Sequence, residues 1–152
     1  MSNQTDLVAL SQGNAAGLTP LAGSVVQAKY AKAASSFSTS SGSWTPTGLQ
    51  VLITPKTANS TFFASFSCRI VNSYGSYIEF YSSIFLNGQG VLGTNADQRV
   101  DTGAGSVLHT WTGVVDVAST SQQTFEVYMA QGYGTSTGFR ADAMLYVQEI
   151  AK

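Results

Sequence analysis

The sequence predicts an all-β fold: an antiparallel β-sandwich of jelly-roll-like topology, preceded by an extended N-terminal arm. From Ser24 onward, apolar and polar residues alternate in short segments, and a period of two residues is typical of strands with one buried face. Clusters of Gly, Pro, Asn and Ser separate these segments, as turns do. No window keeps the 3.6-residue period, with capping residues, that a helix requires.

The clearest unit is the strand, turn and strand over residues 47–63. Leu49, Val51 and Ile53 occupy alternate positions, which predicts that one face of this strand is buried. Pro55 has no amide hydrogen and cannot extend a central ladder, so it marks the end of the strand. The polar residues that follow it form the connection.

The same pattern continues along the chain. Further strands are predicted at 24–30, 61–72, 77–86, 106–117, 124–131 and 139–150, with 35–44 as a short edge strand or a loop. Asn87-Gly88 predicts a tight hairpin turn, and 73–76 predicts another hairpin connection. Residues 93–105 are predicted as a loop with at most a short strand at 98–100, and 132–138 as a Gly-rich loop.

Residues 1–23 form a separate region from the sandwich domain at 24–152. They are small, polar and interrupted by Gly and Pro, which predicts an arm that is either a floppy terminus or ordered only when it docks on a partner. The apolar residues that would dock are Leu7, Val8, Leu10, Leu18 and Leu21. No basic residue precedes the first apolar stretch, so we expect no secretory signal, and no apolar run is long enough to insert into a membrane.

The composition predicts a covered, weakly charged surface. Charged residues make up 10% of the chain and the net charge is -1, against about 25% charged residues in an average domain. This argues against a nucleic-acid partner. It fits a protein covered by copies of itself or by a larger assembly, or else a lectin-like domain with a Ser/Thr surface.

Aromatic residues on both faces of several strands predict an oligomer. Tyr77, Tyr81 and Phe85 oppose the face that carries Phe80 and Ile84, whereas a monomeric sandwich buries only one face of each sheet. A symmetric homotrimer is the oligomer we predict. The alternative is a few scattered surface aromatics, which are normal.

The residues that could support catalysis do not form a recognisable site. His109 has no nucleophile on a strained turn to serve, and Glu79 and Glu126 would have to face each other across a cleft to act on a sugar. Cys68 is predicted to be buried, and 95–101 offers irregular oxygen ligands for at most a weak calcium site. We therefore predict no enzyme activity, no catalytic or metal-binding residues and no cofactor.

Aromatic and polar residues near the Gly-rich loops are candidates for recognition of a glycan or protein. They are Tyr74, Tyr77, Asn95, Asp97, Arg99, Tyr133 and Phe139. The alternative is that the glycines only form turns and the tyrosines cap the core.

Several motifs together resemble a module of bacteriophage virion structural and tail fibre proteins. They are Val25-Val-Gln27, Thr47-Gly-Leu reaching Thr54-Pro-Lys56, Ser60-Thr-Phe-Phe63, the strand-turn-strand at 84–93, and the closing Leu145–Ile150 with its Glu-Ile ending. Thr61 departs from the lysine expected in this module. The resemblance implies an oligomeric β-sandwich without catalysis or cofactor, made in the host cytoplasm and located in the virion.

Three functions follow. In the first, a short tail fibre docks by its arm to the tail or baseplate, and distal loops of a trimeric sandwich bind a host-surface glycan or protein. In the second, a capsid decoration protein clasps the head and stabilises it. The third, a small glycan-processing enzyme, is disfavoured because no catalytic constellation is present.

Overall fold

The computed structural model describes residues 20–72, 78–100, 105–134 and 136–152, with only the backbone described for 71, 72, 78, 91–100 and 105–107. Ten strands make up its regular structure, which confirms the all-β prediction. They are β1 Val25–Lys32, β2 Phe37–Thr39, β3 Thr45–Ile53, β4 Ser60–Asn72, β5 Ile78–Leu86, β6 Gln89–Val100, β7 Gly105–Val117, β8 Gln123–Tyr133, β9 Thr137–Phe139 and β10 Met144–Ile150.

The strands form two antiparallel sheets packed face to face. Sheet A contains β1, β10, β4 and β7 in that order, with β9 and β2 beside the far end of β4. Sheet B has the order β3-β8-β5-β6. The sheets meet through buried side chains of both, for example where the rings of Phe62 and Phe125 lie 5.4 Å apart.

Two strands of sheet A are interrupted at the same level. Lys32 lies opposite Met144 and Phe37 lies opposite Phe139, so the register of β1 with β10 continues unchanged into that of β2 with β9. Counting β1/β2 and β9/β10 as one interrupted strand each, the first strand pairs with the last, the second with the seventh, and so on to the innermost pair β5–β6. This pairing is the jelly-roll arrangement.

The predicted burial pattern is confirmed where it was sharpest. Leu49, Val51 and Ile53 are buried, and Leu52 between them is exposed. On β4, the face that carries Cys68 is buried from Phe62 to Ile70. This alternation arises because successive strand side chains point to opposite faces of the sheet.

Three predictions of local structure are wrong. Residues 93–100 belong to the continuous strand β6. Backbone pairing with β5 makes this segment a strand, although its polar sequence is typical of a loop. The strand predicted at 139–150 is split by a turn in which Ala143 N–H donates to the Arg140 carbonyl at 3.1 Å. The loop predicted at 132–138 is shorter, since β8 runs to Tyr133 and β9 begins at Thr137.

The connections at the strand ends give mixed outcomes. The Asn87-Gly88 hairpin turn is confirmed, with φ of 51° and 78° between the paired residues Leu86 and Gln89. The hairpin predicted at 73–76 is wrong, because β4 and β5 belong to different sheets. Residues 73–76 themselves, like the arm up to residue 19, lie outside the described residues.

Candidate functional site: the distal end of the sandwich and the buried polar groups

Part of the predicted recognition set meets at one end of sheet B. Arg99 on β6 lies opposite Glu79 on β5, and Glu79 lies opposite Tyr133 on β8. Tyr133 is 56% exposed. This row of three strand positions, which we call the distal row, is the arrangement closest to the recognition surface that the sequence predicts.

A glycine and a tyrosine position the acid of the distal row. The Tyr81 hydroxyl donates to Glu79 Oε1 at 3.1 Å. A Cβ at Gly132 would lie 2.8 Å from Glu79 Cγ and 2.9 Å from the Tyr81 ring, so any larger residue there would displace both side chains. Gly132 therefore allows Glu79 and Tyr81 to pack across the end of β8.

Other members of the recognition set are placed differently. Asn95, Asp97 and Arg99 lie on strand β6 and not on a loop, because β6 pairs with β5 along this stretch. Phe139 is only 3% exposed and packs its ring against Phe37 at 5.6 Å, which corrects its proposed place on a recognition surface. Tyr74 and Tyr77 lie outside the described residues.

The described residues that precede β1 meet the sandwich at the end opposite to the distal row. Gly23 N–H donates to the Ala151 carbonyl at 2.7 Å, at the start of β1. Leu21 is 74% exposed there, and Leu7, Val8, Leu10 and Leu18 lie outside the described residues. Ile53 at this end pairs with Gln123, and the 11 residues of β8 then run to Tyr133, a distance of about 35 Å at roughly 3.4 Å per residue.

The outer face of sheet A carries an apolar group near its β1 edge, with Lys32 next to it opposite Met144. Tyr30 lies opposite Tyr146, and Met144 lies on the same face two residues earlier on β10. Their exposed fractions are 70%, 36% and 39%. We call these three residues the tyrosine patch. A sandwich monomer leaves such a face in water, so the patch is the kind of surface that a second chain covers.

The outer face of sheet B carries a different aromatic group whose members cover one another. The Phe85 ring stacks on Tyr128 with centroids 4.0 Å apart, and Trp44 packs edge-on against Phe85 at 5.6 Å and Tyr81 at 6.5 Å. Phe85 also covers Gly90, where a Cβ would lie 3.4 Å from its ring. Mutual packing thus removes much of this aromatic surface from solvent within one chain.

A hydroxyl-lined hollow of about 280 Å³ lies beside β2 and β9. Its lining includes Phe37, Ser38, Thr137 and Arg140. Thr137 is 1% exposed and its Oγ1 has no hydrogen-bond partner in the described part of the chain. Gly138 in this lining lets β9 approach β2 closely, because a Cβ there would collide with the Phe37 carbonyl.

His109 has a partner that sequence reasoning missed. Its Nε2 and Ser82 Oγ are hydrogen-bonded at 2.9 Å, joining sheet A to sheet B inside the core. Burial lowers the pKa of His109, which favours the neutral ring. The serine and histidine match a nucleophile and its base in distance only, because Ser82 is fully buried and His109 is 6% exposed, between the rings of Phe66 and Phe80.

The two carboxylates considered for glycoside hydrolysis are far apart. Glu79 lies opposite Tyr133, and Glu126 precedes Tyr133 by seven residues on β8. Seven residues of strand span more than about 20 Å, whereas glycosidase pairs are about 5–9.5 Å apart. Glu126 instead accepts a hydrogen bond from Gly48 N–H at 3.2 Å. These two residues therefore cannot act as a pair in this fold.

Glu149 is a fully buried carboxylate that gathers several chain segments. It accepts hydrogen bonds from Ser60 Oγ at 2.6 Å, Gln27 Nε2 at 2.6 Å, and the N–H groups of Lys56 and Thr57 at 2.9 and 3.1 Å. Burial alone raises the pKa of Glu149, but these hydrogen bonds outweigh it and the pKa is lowered. The arrangement ties the β3–β4 turn to β10 and β1.

The residues around Glu149 are those that carry the sequence motifs. Gln27 closes the Val-Val-Gln start, Lys56 follows the Thr-Pro turn, Ser60 opens β4 and Glu149 begins the Glu-Ile ending. Glu149 received no role in the sequence prediction. The signal that could have found it is that a strand of otherwise alternating apolar residues places a glutamate in phase with Leu145 and Val147.

Reactive and metal-binding groups are scarce in the described residues. Burial, with a smaller contribution from Asp142, raises the pKa of the Cys68 thiol to about 12, so its reactive thiolate is suppressed. The described residues contain no cluster of three or more His, Cys, Asp or Glu side chains suited to a metal. The side chains of 95–101 lie outside the description, and the weak calcium site there stays a prediction. No helix in the described ranges is long and apolar enough to cross a membrane.

Comparison with known proteins finds likeness in structure only. No protein-family model and no curated protein matches the chain. The structure of infectious bursal disease virus Gt strain matches 86% of this chain and 34% of its own, with 15% identity and a TM-score of 0.56. A mutant VP2 protein of infectious bursal disease virus, from derived T=1 particles, has 16% identity and a TM-score of 0.47 over 86% of this chain and 33% of its own.

A sugar-binding protein, the EclA C-terminal domain, matches 84% of this chain and 82% of its own, with 14% identity and a TM-score of 0.41. The present chain spans about a third of the length of the infectious bursal disease virus chains that it matches. At these identities, the likeness with a TM-score of 0.56 supports the fold alone. The chain is thus a jelly-roll β-sandwich whose fold resembles one found in a virus structure.

Proposed function

We propose that the chain is a non-enzymatic structural protein of a virus particle that works as an oligomer. The observation that carries this proposal is the tyrosine patch, because Tyr30, Met144 and Tyr146 are exposed on a strand face that a single sandwich cannot bury. The low charge of the chain agrees with a surface covered by other subunits. The fold likeness to the infectious bursal disease virus structure makes a particle component a natural context.

The placement of reactive groups supports a role without catalysis. Cys68, Ser82 and His109 are all buried in the core, where a substrate cannot reach them. Glu79 and Glu126 are too far apart to share one glycosidic bond. What remains exposed in the described residues is suited to contact and packing.

In its finer form, the proposal is a short tail fibre of a bacteriophage. The arm at 1–23 docks on the tail or baseplate, the sandwich forms a homotrimer through the tyrosine patch, and the distal row contacts a glycan or protein of the host surface. The polarity of the sandwich supports this version, because Gly23 at the arm and Tyr133 in the distal row lie at opposite ends. An attachment end and a recognition end are what a fibre tip requires.

Locating the protein in purified particles tests the proposal. Antibodies raised against residues 24–152 should label tail tips in negative-stain electron microscopy, and pre-incubation of particles with the recombinant sandwich should reduce adsorption to the host. Labelling spread over the head would replace the fibre with the capsid decoration protein. Particles that carry no label and contain no trace of the chain by mass spectrometry would overturn a virion role.

A variant in the distal row separates recognition from assembly. Tyr133→Ala should lower the competition for adsorption while the protein still enters particles. The matched control is Leu52→Ala on β3. Leu52 is 44% exposed and lies opposite Thr124, at the other end of β8 from Tyr133. Equal competition by both variants and the unmodified protein would remove the distal row from the proposal.

A further inference from the structure

Among the strands that the structure describes, β7 is an edge of sheet A. Its 13 residues pair with β4 from Gly105 opposite Asn72 to Val117 opposite Ser60, without any shift in register. Within the described residues, β4 is its only partner strand. The other side of β7 therefore presents a long, regular row of backbone donors and acceptors.

The other edge strands carry features that discourage pairing, and β7 does not. The edge strand β1 has Lys29 and Lys32 and a register shift near its start. The edge strand β3 contains Pro46, with a register shift before Gln50. Lysines, prolines and irregularities are the devices by which sheet edges avoid association.

The strand β6, which ends sheet B, also departs from a regular strand. Its ladder with β5 shifts register on either side of Ile84, and its sequence includes Asp97 and Arg99. In β7 the sole charged residue is Asp116, next to the strand end. The His109 side chain points into the core and is hydrogen-bonded to Ser82, so it places no charge on this sheet edge. Compared with these strands, β7 is the edge best suited to pair with a strand of another chain.

The side chains of β7 are complementary to a second β7 in one antiparallel register. On the outer face, Leu108 and Val114 are 74% and 61% exposed, and the exposed Thr110 and Thr112 lie between them. A two-fold axis at Trp111 would place Leu108 opposite Val114 of the other copy, and Thr110 opposite Thr112. Apolar and Thr–Thr pairs of this kind stabilise antiparallel strands. A shift of two residues would instead set Leu108 against Asp116 or against Thr112.

We propose that β7 pairs with β7 of a second copy of this chain about a two-fold axis at Trp111, which joins two A sheets into one continuous sheet. The contact is isologous, so each residue pair occurs twice. It lies across strand β4 from the tyrosine patch, whose residues are on β1 and β10. The two contacts share no residue, and the proposal stands whether or not the tyrosine patch forms a trimer.

Two double variants with charges at the same positions test this register. Leu108→Lys with Val114→Lys sets like charges against each other in both symmetry-related pairs, which destabilises opposed positions. Leu108→Glu with Val114→Lys sets opposite charges against each other at the same places. Sedimentation velocity should show that the first variant has half the oligomer mass of the unmodified protein, while the second keeps the full mass. Leu52→Glu on β3, an exposed apolar position away from β7, is the control and should also keep the full mass.

The proposal would be overturned if the variant with two lysines kept the full oligomer mass. It would also be overturned if both double variants showed the same reduced mass. Far-ultraviolet circular dichroism and thermal melts of each variant check that the monomers are folded. If the variant with two lysines has the mass of three protomers, the result matches the proposed trimer. If it has the mass of one protomer, the result contradicts the trimer but still supports the two-fold contact. The two proposals can thus fail separately.

Cross-linking gives a second, independent measurement. Thr110→Cys with Thr112→Cys should form a covalent dimer on mild oxidation with oxidised glutathione, because each new thiol faces its counterpart across the axis at a spacing that strand pairs share with disulfides. Thr112→Cys alone faces Thr110 of the other copy and should stay monomeric on a non-reducing gel. Equal cross-linking of the single and double variants would rule out this register.

Discussion

At the scale of single residues, Glu149 stabilises the fold as a buried and fully hydrogen-bonded carboxylate. A buried carboxylate is costly unless it is hydrogen-bonded. Here three side chains, those of Gln27, Thr57 and Ser60, and two backbone N–H groups donate hydrogen bonds to it. Its pKa is lower in the folded protein than in the unfolded chain. The resulting stability is present above the unfolded pKa and is lost as the pH falls through the folded pKa.

Glu149→Gln should lower the free energy of unfolding by about 2–3 kcal/mol at pH 7, because a neutral amide gives up charge-assisted hydrogen bonds and turns an N–H₂ group toward backbone donors. Urea unfolding followed by tryptophan fluorescence at pH 7 and pH 4 measures it. The variant should lose less stability between these pH values than the unmodified protein.

Asp116→Asn is the matched control for Glu149→Gln. Asp116 is also a carboxylate with a lowered pKa, through hydrogen bonds from Lys152 and Thr61, but it lies on the exposed outer face of β7. Surface pairs contribute little, so its unfolding curve should nearly overlay that of the unmodified protein. An equal loss of unfolding free energy between pH 7 and pH 4, with and without Glu149, would contradict the role given to this residue.

Substitution by alanine should destabilise the protein to different extents at two glycines, Gly88 and Gly138. Gly88 has φ of 78° with no atom near its missing Cβ, so Gly88→Ala costs only the backbone strain of a left-handed residue, about 1 kcal/mol. At Gly138 a Cβ would collide with the Phe37 carbonyl and lie 2.7 Å from Ser38 Cα, and backbone cannot move aside as a side chain does. Gly138→Ala should therefore be the more damaging, by about 1–3 kcal/mol. Thermal melts of the two variants give the ranking, and the reverse order would refute the close approach of β2 to β9.

At the scale of elements, the sequence predicts strands well where one face is buried. Residues 49–53 and 62–70 alternate cleanly because their inner faces are in the core and their outer faces are not. The pattern fails at β6, where polar and Gly residues look like a loop and the ladder with β5 decides the structure. It also fails at 139–150, since Arg140-Ala-Asp-Ala143 keeps the alternation of a strand while its backbone turns.

The candidate site was less predictable than the fold. Phe139 looked like a loop aromatic, but its position on β9 points it into the core beside Phe37. The pairing of Ser82 with His109 joins residues 27 positions apart on different sheets, and no local pattern encodes such a contact. Arg99, Glu79 and Tyr133 form a row only through strand registers, which the sequence leaves open.

At the scale of the whole molecule, the arm and the sandwich should be separable. Removing residues 1–19 leaves Leu21, to which Ser24 Oγ donates, and Gly23, which donates to Ala151. The truncated protein should therefore keep its melting temperature within about 2 °C, a change of well under 1 kcal/mol, because all ten strands and the hydrogen bond from Gly23 to Ala151 remain. Incorporation into particles, measured by mass spectrometry of purified virions, should be abolished. Normal incorporation of the truncated chain would dismiss the arm as the attachment element.

The tyrosine patch should govern the order of the oligomer. Tyr30→Glu with Tyr146→Glu places like charges opposite each other on neighbouring strands and on every copy, so it should dissociate the proposed trimer. Mass photometry of this variant should show a loss of three-fold species, while the exposed-position variant Leu52→Glu should not. Unchanged masses would exclude the patch as a subunit contact.

The single thiol gives the fold an internal reporter. Cys68 is 2% exposed, and burial raises its pKa to about 12, so a maleimide can react only when the two sheets part. Its labelling rate therefore measures how often the core opens. In the proposed assembly, neighbouring subunits would restrain each sandwich, so the rate should fall on assembly, and the size of the fall would measure that restraint.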